Sequence, residues 1–276
     1  MSSHDPDPEI AAHIQAALSV VHPIVSAYTY PLFAADGRGR PDLYASSILL
    51  EVDGQLVLLT AAHAIHEISQ AGSAVHLGAT SITHLTSTFT RTSVDGQDPL
   101  DLAATLISEE FRQEQSMQAL PMHRTKGSDF LSKPHMRCVH GYPITKNKTT
   151  KRADETRKVF TRYGLTYAGA SHDLDVDFAR HKKRNDTHLV MKYQRKSRDD
   201  TGGQITPPDP KGISGGGMWS IPDSFSPGIV FLEGIAIEFH DKSLVFATRI
   251  EHAISFIRTS VIPAAQTHEQ PPTTDA

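Results

Sequence analysis

Residues 46–65 read SSILLEVDGQLVLLTAAHAI. Two apolar runs, Ser46–Leu50 with Val52 and then Leu56–Thr60, flank the pair Asp53-Gly54. An Asp-Gly pair supplies the positive-φ positions that a two-residue hairpin turn requires, so the spacing predicts two antiparallel strands. At the end of the second run the apolar residues give way to Ala61-Ala62-His63-Ala64. Small side chains beside a histidine leave its ring room to face a cleft. The chain holds 16 histidines, so this one needs partners before it means anything.

Outward from this hairpin the pattern repeats. Short β-like runs occur at Ala74–Leu77, Leu100–Ile107, Arg137–His140, Leu189–Tyr193, Ile229–Ile237 and Ser243–Thr248, separated by Gly, Pro and Asp/Asn clusters. Many short strands with turn punctuation predict an all-β barrel or sandwich rather than a parallel α/β fold. Before the hairpin, Ile10, Ile14, Ala17, Leu18 and Val21 fall at helical spacing and predict one amphipathic helix ending near Pro23. The last residues, 263–276, are rich in Pro, Thr and Gln, with no core-forming pattern, and read as a disordered tail.

Composition narrows the class. A chain of 276 residues, 38% hydrophobic and 21% charged, can bury a core. A net charge of -4 does not indicate a polyanionic partner for the whole chain. Residues 146–198 are the exception, with 15 Lys/Arg against 6 Asp/Glu. Such a segment could attract nucleic acid, through Lys182, Lys183 and Arg184 among others. Without interleaved aromatics the better expectation is a solvated hairpin or loop. Cys138 is the single cysteine, so no intrachain disulfide can form. That, with an acidic N-terminus lacking a signal-peptide pattern and no membrane-length apolar run, predicts a soluble, cytoplasmic protein.

Two further segments carry chemistry. Leu100-Asp101-Leu102-Ala103-Ala104 sets an acid among apolar neighbours on an expected strand. A buried carboxylate needs a hydrogen-bonding or charged partner, and an imidazole is a suitable one. Asp98 is a nearby competitor, followed by Pro99. Lys211-Gly212-Ile213-Ser214-Gly215-Gly216-Gly217 offers a hydroxyl inside a glycine loop. Such a loop can bring N–H groups close to a bound carbonyl, and the N–H groups of Gly212 and Ser214 are the candidates for an oxyanion hole. His63, His66 and Glu67 lack the spacing of a helical zinc motif, and no metal or other cofactor is expected.

Taken together, Thr60-Ala61-Ala62-His63, Asp101-Leu102-Ala103 and Gly212-Ile213-Ser214-Gly215-Gly216 resemble the signature segments of the trypsin-like, chymotrypsin-fold serine peptidases, in that family's order of His, Asp, Ser. Weaker matches are Leu232-Glu233-Gly234-Ile235-Ala236, Thr248-Arg249-Ile250 and Val139-His140-Gly141-Tyr142-Pro143, so the resemblance spans roughly residues 44–258. It implies two packed antiparallel β-barrels. Residues 27–135 would form the first, with His63 and Asp101. Residues 136–262 would form the second, with Ser214 and the basic insert 146–198. An N-terminal helix within 1–26 and a short C-terminal helix flank them. The implied activity is a serine endopeptidase acting on a protein or peptide substrate, without a membrane. His63, Asp101 and Ser214 would be its catalytic residues.

The sequence also departs from the family. Ile213 stands where animal trypsins carry the aspartate that pairs with a processed N-terminus, so activity without N-terminal trimming is expected. Gly217 replaces the usual proline. Ala45-Ser46-Ser47 replaces a glycine-rich run. Phe239 could narrow the primary pocket, and Asp209 or Glu238 could select a basic residue. The alternative is an inactive fold of this kind serving as a binding scaffold, associated with nucleic acid through the insert.

Overall fold

The computed structural model describes residues 8–35, 41–92, 99–126, 136–147, 163–173, 175–194, 197–198, 204–221, 230–241 and 243–268. A first helix, α1 (Pro8–Ser26), leads into β1 (Thr29–Ala35), β2 (Pro41–Val52) and β3 (Gln55–Ala61). Next come α2 (Ala62–Gln70), β4 (Val75–Gly78), β5 (Ile82–His84), β6 (Thr90–Arg91), β7 (Leu102–Leu106), α3 (Glu109–Glu114) and β8 (Leu120–Pro121). The second half holds β9 (Met136–Gly141), β10 (Leu165–Ala170), β11 (His188–Lys192), β12 (Ser197–Arg198), β13 (Gln204–Ile205), β14 (Gly217–Ile221), β15 (Phe231–His240) and β16 (Leu244–Arg249). The chain ends in α4 (Ile250–Phe256), a π-helical turn (Ile257–Val261) and α5 (Ile262–His268).

The protein is mainly β, built on two antiparallel sheets. The first runs β5-β4-β1-β2-β3-β7-β6, with β8 lying parallel to β2. Its end strands are not paired with each other among the described residues, so it is a curled, open half-barrel. The second runs β10-β9-β14-β15-β16-β11, and an antiparallel bridge from Ser171 to Met191 closes it towards a barrel.

The hairpin at Asp53-Gly54 forms as the sequence predicts. Ile48 pairs with Leu59 and Val52 with Gln55. Both turn residues have positive φ, 50° and 78°, which gives the twist that hairpin strands need. Its strands are apolar without alternation because both faces are buried. Ile48, Leu50, Val57 and Leu59 point into a cluster shared with α1, the second sheet and α4. Leu49 and Leu58 point the other way, into the interior of the first sheet. Each fully buried leucine or isoleucine is worth about 1.5–3 kcal/mol of transfer free energy.

Several expectations change. The first helix does not stop at Pro23 but carries it in its last turn, where only one ladder bond is lost. Helix α5 runs to His268, into the stretch expected as tail, while 269–276 lie outside the described residues. The basic segment is more than a surface loop. Its β10 and β11 are strands of the second sheet, with Leu165, Tyr167, Leu189 and Met191 buried in that sheet's core. Residues 148–162 of that segment lie outside the described residues. Asp98 also lies outside them. No helix among the described residues is long and apolar enough to cross a membrane. Cys138 is free and buried.

Candidate active site

Strand β3 ends at Ala61, and the chain turns directly into α2, so His63 sits in the first turn of a helix. Ala61 caps that helix with no side-chain bond of its own. The cap comes from elsewhere. Asp101 accepts from the N–H of Ala62 through its backbone carbonyl at 2.9 Å and from the N–H of His63 through Oδ1 at 2.8 Å. Unsatisfied N–H groups and the positive end of the helix favour a carboxylate at this point. The other oxygen, Oδ2, lies 2.6 Å from Nδ1 of His63. A carboxylate can only accept, so Nδ1 carries the proton and Nε2 is left free to act as a base.

Asp101 is not on the strand, as its neighbours suggest, but one residue before β7. Its φ of 50° is left-handed, a conformation Asp tolerates better than most residues. The second sheet holds this turn. Thr248 Oγ1 donates to Leu100 O at 2.6 Å, and Nε2 of His188 donates to Pro99 O at 2.6 Å. Neither contact was legible in the sequence.

Burial pulls the His63 pKa down, but the hydrogen bond and negative charge of Asp101 outweigh it, with help from Glu67 and Glu238. The net effect is a pKa above the ordinary 6.5. The side chains of His63 and Asp101 remain 39% and 19% exposed, so solvent reaches the pair.

Ser214 lies in the tight loop before β14. Gly212 and Gly215 have φ of 97° and 85°. A Cβ on Gly215 would stand 2.0 Å from Ser46 O and 2.2 Å from Thr60 Oγ1, so the loop passes against the first sheet only because that side chain is absent. The half-buried Ser214 hydroxyl donates to Ile237 O at 3.5 Å, the long limit of a hydrogen bond. Among the described residues it makes no hydrogen bond to His63. The N–H groups of Gly212 and Ser214 have no acceptor among the described residues.

One cleft joins these parts. Its volume is about 590 Å³, and Tyr44, His63, Glu67, Lys211, Gly212 and Ser214 are among its lining residues. Tyr44 donates its phenol proton to Glu67, and burial with that bond pushes its pKa up to about 12. His66 faces away, its Nδ1 3.0 Å from Arg91. Among the described residues no group of three His, Cys, Asp or Glu is disposed to hold a metal ion.

The specificity candidates are engaged elsewhere. Asp209 accepts from the N–H of Lys211 at 2.9 Å. Glu238 is bridged by Lys183 at 2.9 Å and His240 at 2.8 Å. Phe239 packs edge-on against Tyr193, with ring centroids 5.5 Å apart. Of the three basic residues singled out in the insert, Lys183 is thus paired, and Arg184 is bonded to Asp186.

No protein-family model matches the sequence, and no curated protein matches it either. Solved structures do align. One is the crystal structure of the serine protease domain of the Sesbania mosaic virus polyprotein, at 11% identity and a TM-score of 0.46, covering 84% of this chain and 92% of that one. Another is described under "Aromatic interactions drive the coupled folding and binding of the intrinsically disordered Sesbania mosaic virus VPg protein". It aligns at 12% identity and a TM-score of 0.49, covering 84% of this chain and 90% of that one. Both scores fall below 0.5, so the roles of individual residues rest on the side chains themselves.

Proposed function

We propose that the chain is a serine endopeptidase of the trypsin-like kind. His63, Asp101 and Ser214 form its triad. The observation that carries this reading is the Nδ1–Oδ2 contact of 2.6 Å, which leaves Nε2 basic beside a cleft that also contains Ser214. In the reaction His63 Nε2 takes the proton of Ser214 as Oγ bonds to the substrate carbonyl carbon. The N–H groups of Gly212 and Ser214 hold the oxyanion. His63 passes the proton to the leaving amine as the C–N bond breaks, and water then hydrolyses the acyl-enzyme with His63 again as base. The chain needs no cofactor for these steps.

Selection of a basic side chain by Asp209 or Glu238 is disfavoured, because both carboxylates already have partners. Phe239 against Tyr193 favours a small residue on the acyl side of the scissile bond. The free, buried Cys138 agrees with a cytoplasmic location.

A second reading draws on the Ser214 hydroxyl, which contacts Ile237 O rather than the imidazole. A fold fixed in that state would be a binding scaffold. Labelling with a fluorophosphonate probe separates the two. The unaltered chain should label, and Ser214→Ala should not. A chain that never labels is a scaffold, and persistent labelling of Ser214→Ala puts the nucleophile elsewhere.

A further inference from the structure

An oxyanion hole works only if its N–H groups are already aimed when charge develops. In the glycine loop, three consecutive peptide groups decide that aim. Peptides are planar and trans, so fixing a C=O fixes the opposing N–H of the same group. Lys211 O accepts from Ile144 N at 2.9 Å, which turns the N–H of Gly212 the other way. Ile213 O accepts from Gly216 N at 2.8 Å, which does the same for the N–H of Ser214. The peptide between them is held at both ends, and its N–H, that of Ile213, donates to Pro210 O at 2.9 Å. Gly212 O accepts from a side chain, the hydroxyl of Ser46 on β2, at 2.8 Å.

Ser46 is bound to the loop at two points and to the chain just after β9 at a third. Its hydroxyl also accepts from Tyr142 N at 2.9 Å, and its own N–H donates to Ser214 O at 2.9 Å. Both hydroxyl functions are therefore committed, in a site with no exposure to solvent. Gly212, with φ of 97°, sits close against Tyr142 O and the side chain of Ile144, and without the hydroxyl its peptide would be held only by the Ile213 N–H bond to Pro210 O at 2.9 Å.

We propose that Ser46 is a positioning residue for the oxyanion hole: its hydroxyl, together with the Ile213 N–H bond to Pro210 O, holds the Gly212–Ile213 peptide so that the N–H groups on either side face the cleft. This rests on the peptidase reading. Ser46 touches no substrate and acts through Gly212 and Ser214. The adjacent Ser47 is a natural control. Its hydroxyl is equally buried and bonds a backbone carbonyl, Tyr30 O, at 2.9 Å, but on β1 and away from the loop.

The test compares second-order rates of fluorophosphonate labelling in the full chain. Ser46→Ala should label at least about tenfold slower, a fraction of what losing a whole oxyanion donor does. Ser47→Ala should stay within about twofold at a comparable loss of melting temperature. A second pair isolates the oxyanion. In Ser214→Cys, alkylation by iodoacetamide develops no oxyanion, so adding Ser46→Ala should leave that rate unchanged. Cys138 is buried, with its thiol pKa pushed up, and does not compete. Should Ser46→Ala not fold, Ser46→Cys keeps most of the volume with a weaker donor and should label slower than the unaltered chain. Labelling within about twofold of the unaltered chain by a folded Ser46 variant overturns the proposal, as does an equal drop in alkylation. No labelling of the unaltered chain overturns the peptidase reading and this inference with it.

Discussion

The two halves of the proposed triad are held in different ways. The His63–Asp101 half is fastened at short range, with 2.8 Å to a backbone N–H, 2.6 Å to the ring, and a capped helix behind it. The Ser214 half has well-anchored backbone, but its hydroxyl has one weak contact at 3.5 Å. The base is thus set before a substrate arrives, and the hydroxyl can turn. On the proposed reading, rotation about χ1 between staggered wells is what would free this hydroxyl from Ile237 O.

The comparison can be broken most severely at Asp101. In Asp101→Asn the geometry can persist, but Nδ1 no longer faces a pure acceptor, and the labelling rate should fall about 10³–10⁴-fold. A loss under tenfold would show that the carboxylate serves only as a helix cap. A smaller effect is expected from Thr248→Val, which removes the hydroxyl that holds Leu100 O. Losing that bond should destabilise the fold by about 0.5–1.5 kcal/mol, read from urea denaturation, and slow labelling severalfold as the Asp101 turn loosens. Equal stability with unchanged labelling would mean that the turn holds itself.

The smallest effect sharpens the picture through pH. The raised pKa of His63 means that labelling should rise with pH along a limb whose midpoint lies above 6.5, because only neutral imidazole is a base. Stability runs the other way. A group whose folded pKa is raised contributes most below its unfolded pKa, and the contribution fades as pH climbs through the folded value. Glu67→Gln removes one of the charges that raise the pKa, so its midpoint should move down. A midpoint that moves up, or an unaltered chain titrating below 6.5, contradicts the electrostatic account.

Local signals were readable in the sequence, and contacts across the sheets were not. The Asp53-Gly54 turn, and the strands on either side of it, follow from residues adjacent in the chain. The strand β14 was missed because it starts inside Gly215-Gly216-Gly217, a run that reads as loop. Pro31 hides β1, whose pairing with β2 tolerates it at that position. Helix α2 was missed for a different reason. Its cap is Asp101, 38 positions beyond His63, so nothing near Ala61 announces a helix. The three residues of the proposed triad stand out because their neighbours are distinctive. Ser46 stood out only as a departure from glycine, Thr248 only as the end of a strand, and His188 not at all, since a side chain reaching a carbonyl in the other half leaves no periodic trace.

Those bonds also run in both directions. Ser46 of the first sheet finishes a loop that belongs to the second, and Thr248 with His188 of the second finishes a turn that belongs to the first. Neither sheet could drift in sequence or be swapped for a foreign counterpart without unfastening its opposite number. Grafts between distant relatives would have to carry both ends of each strap.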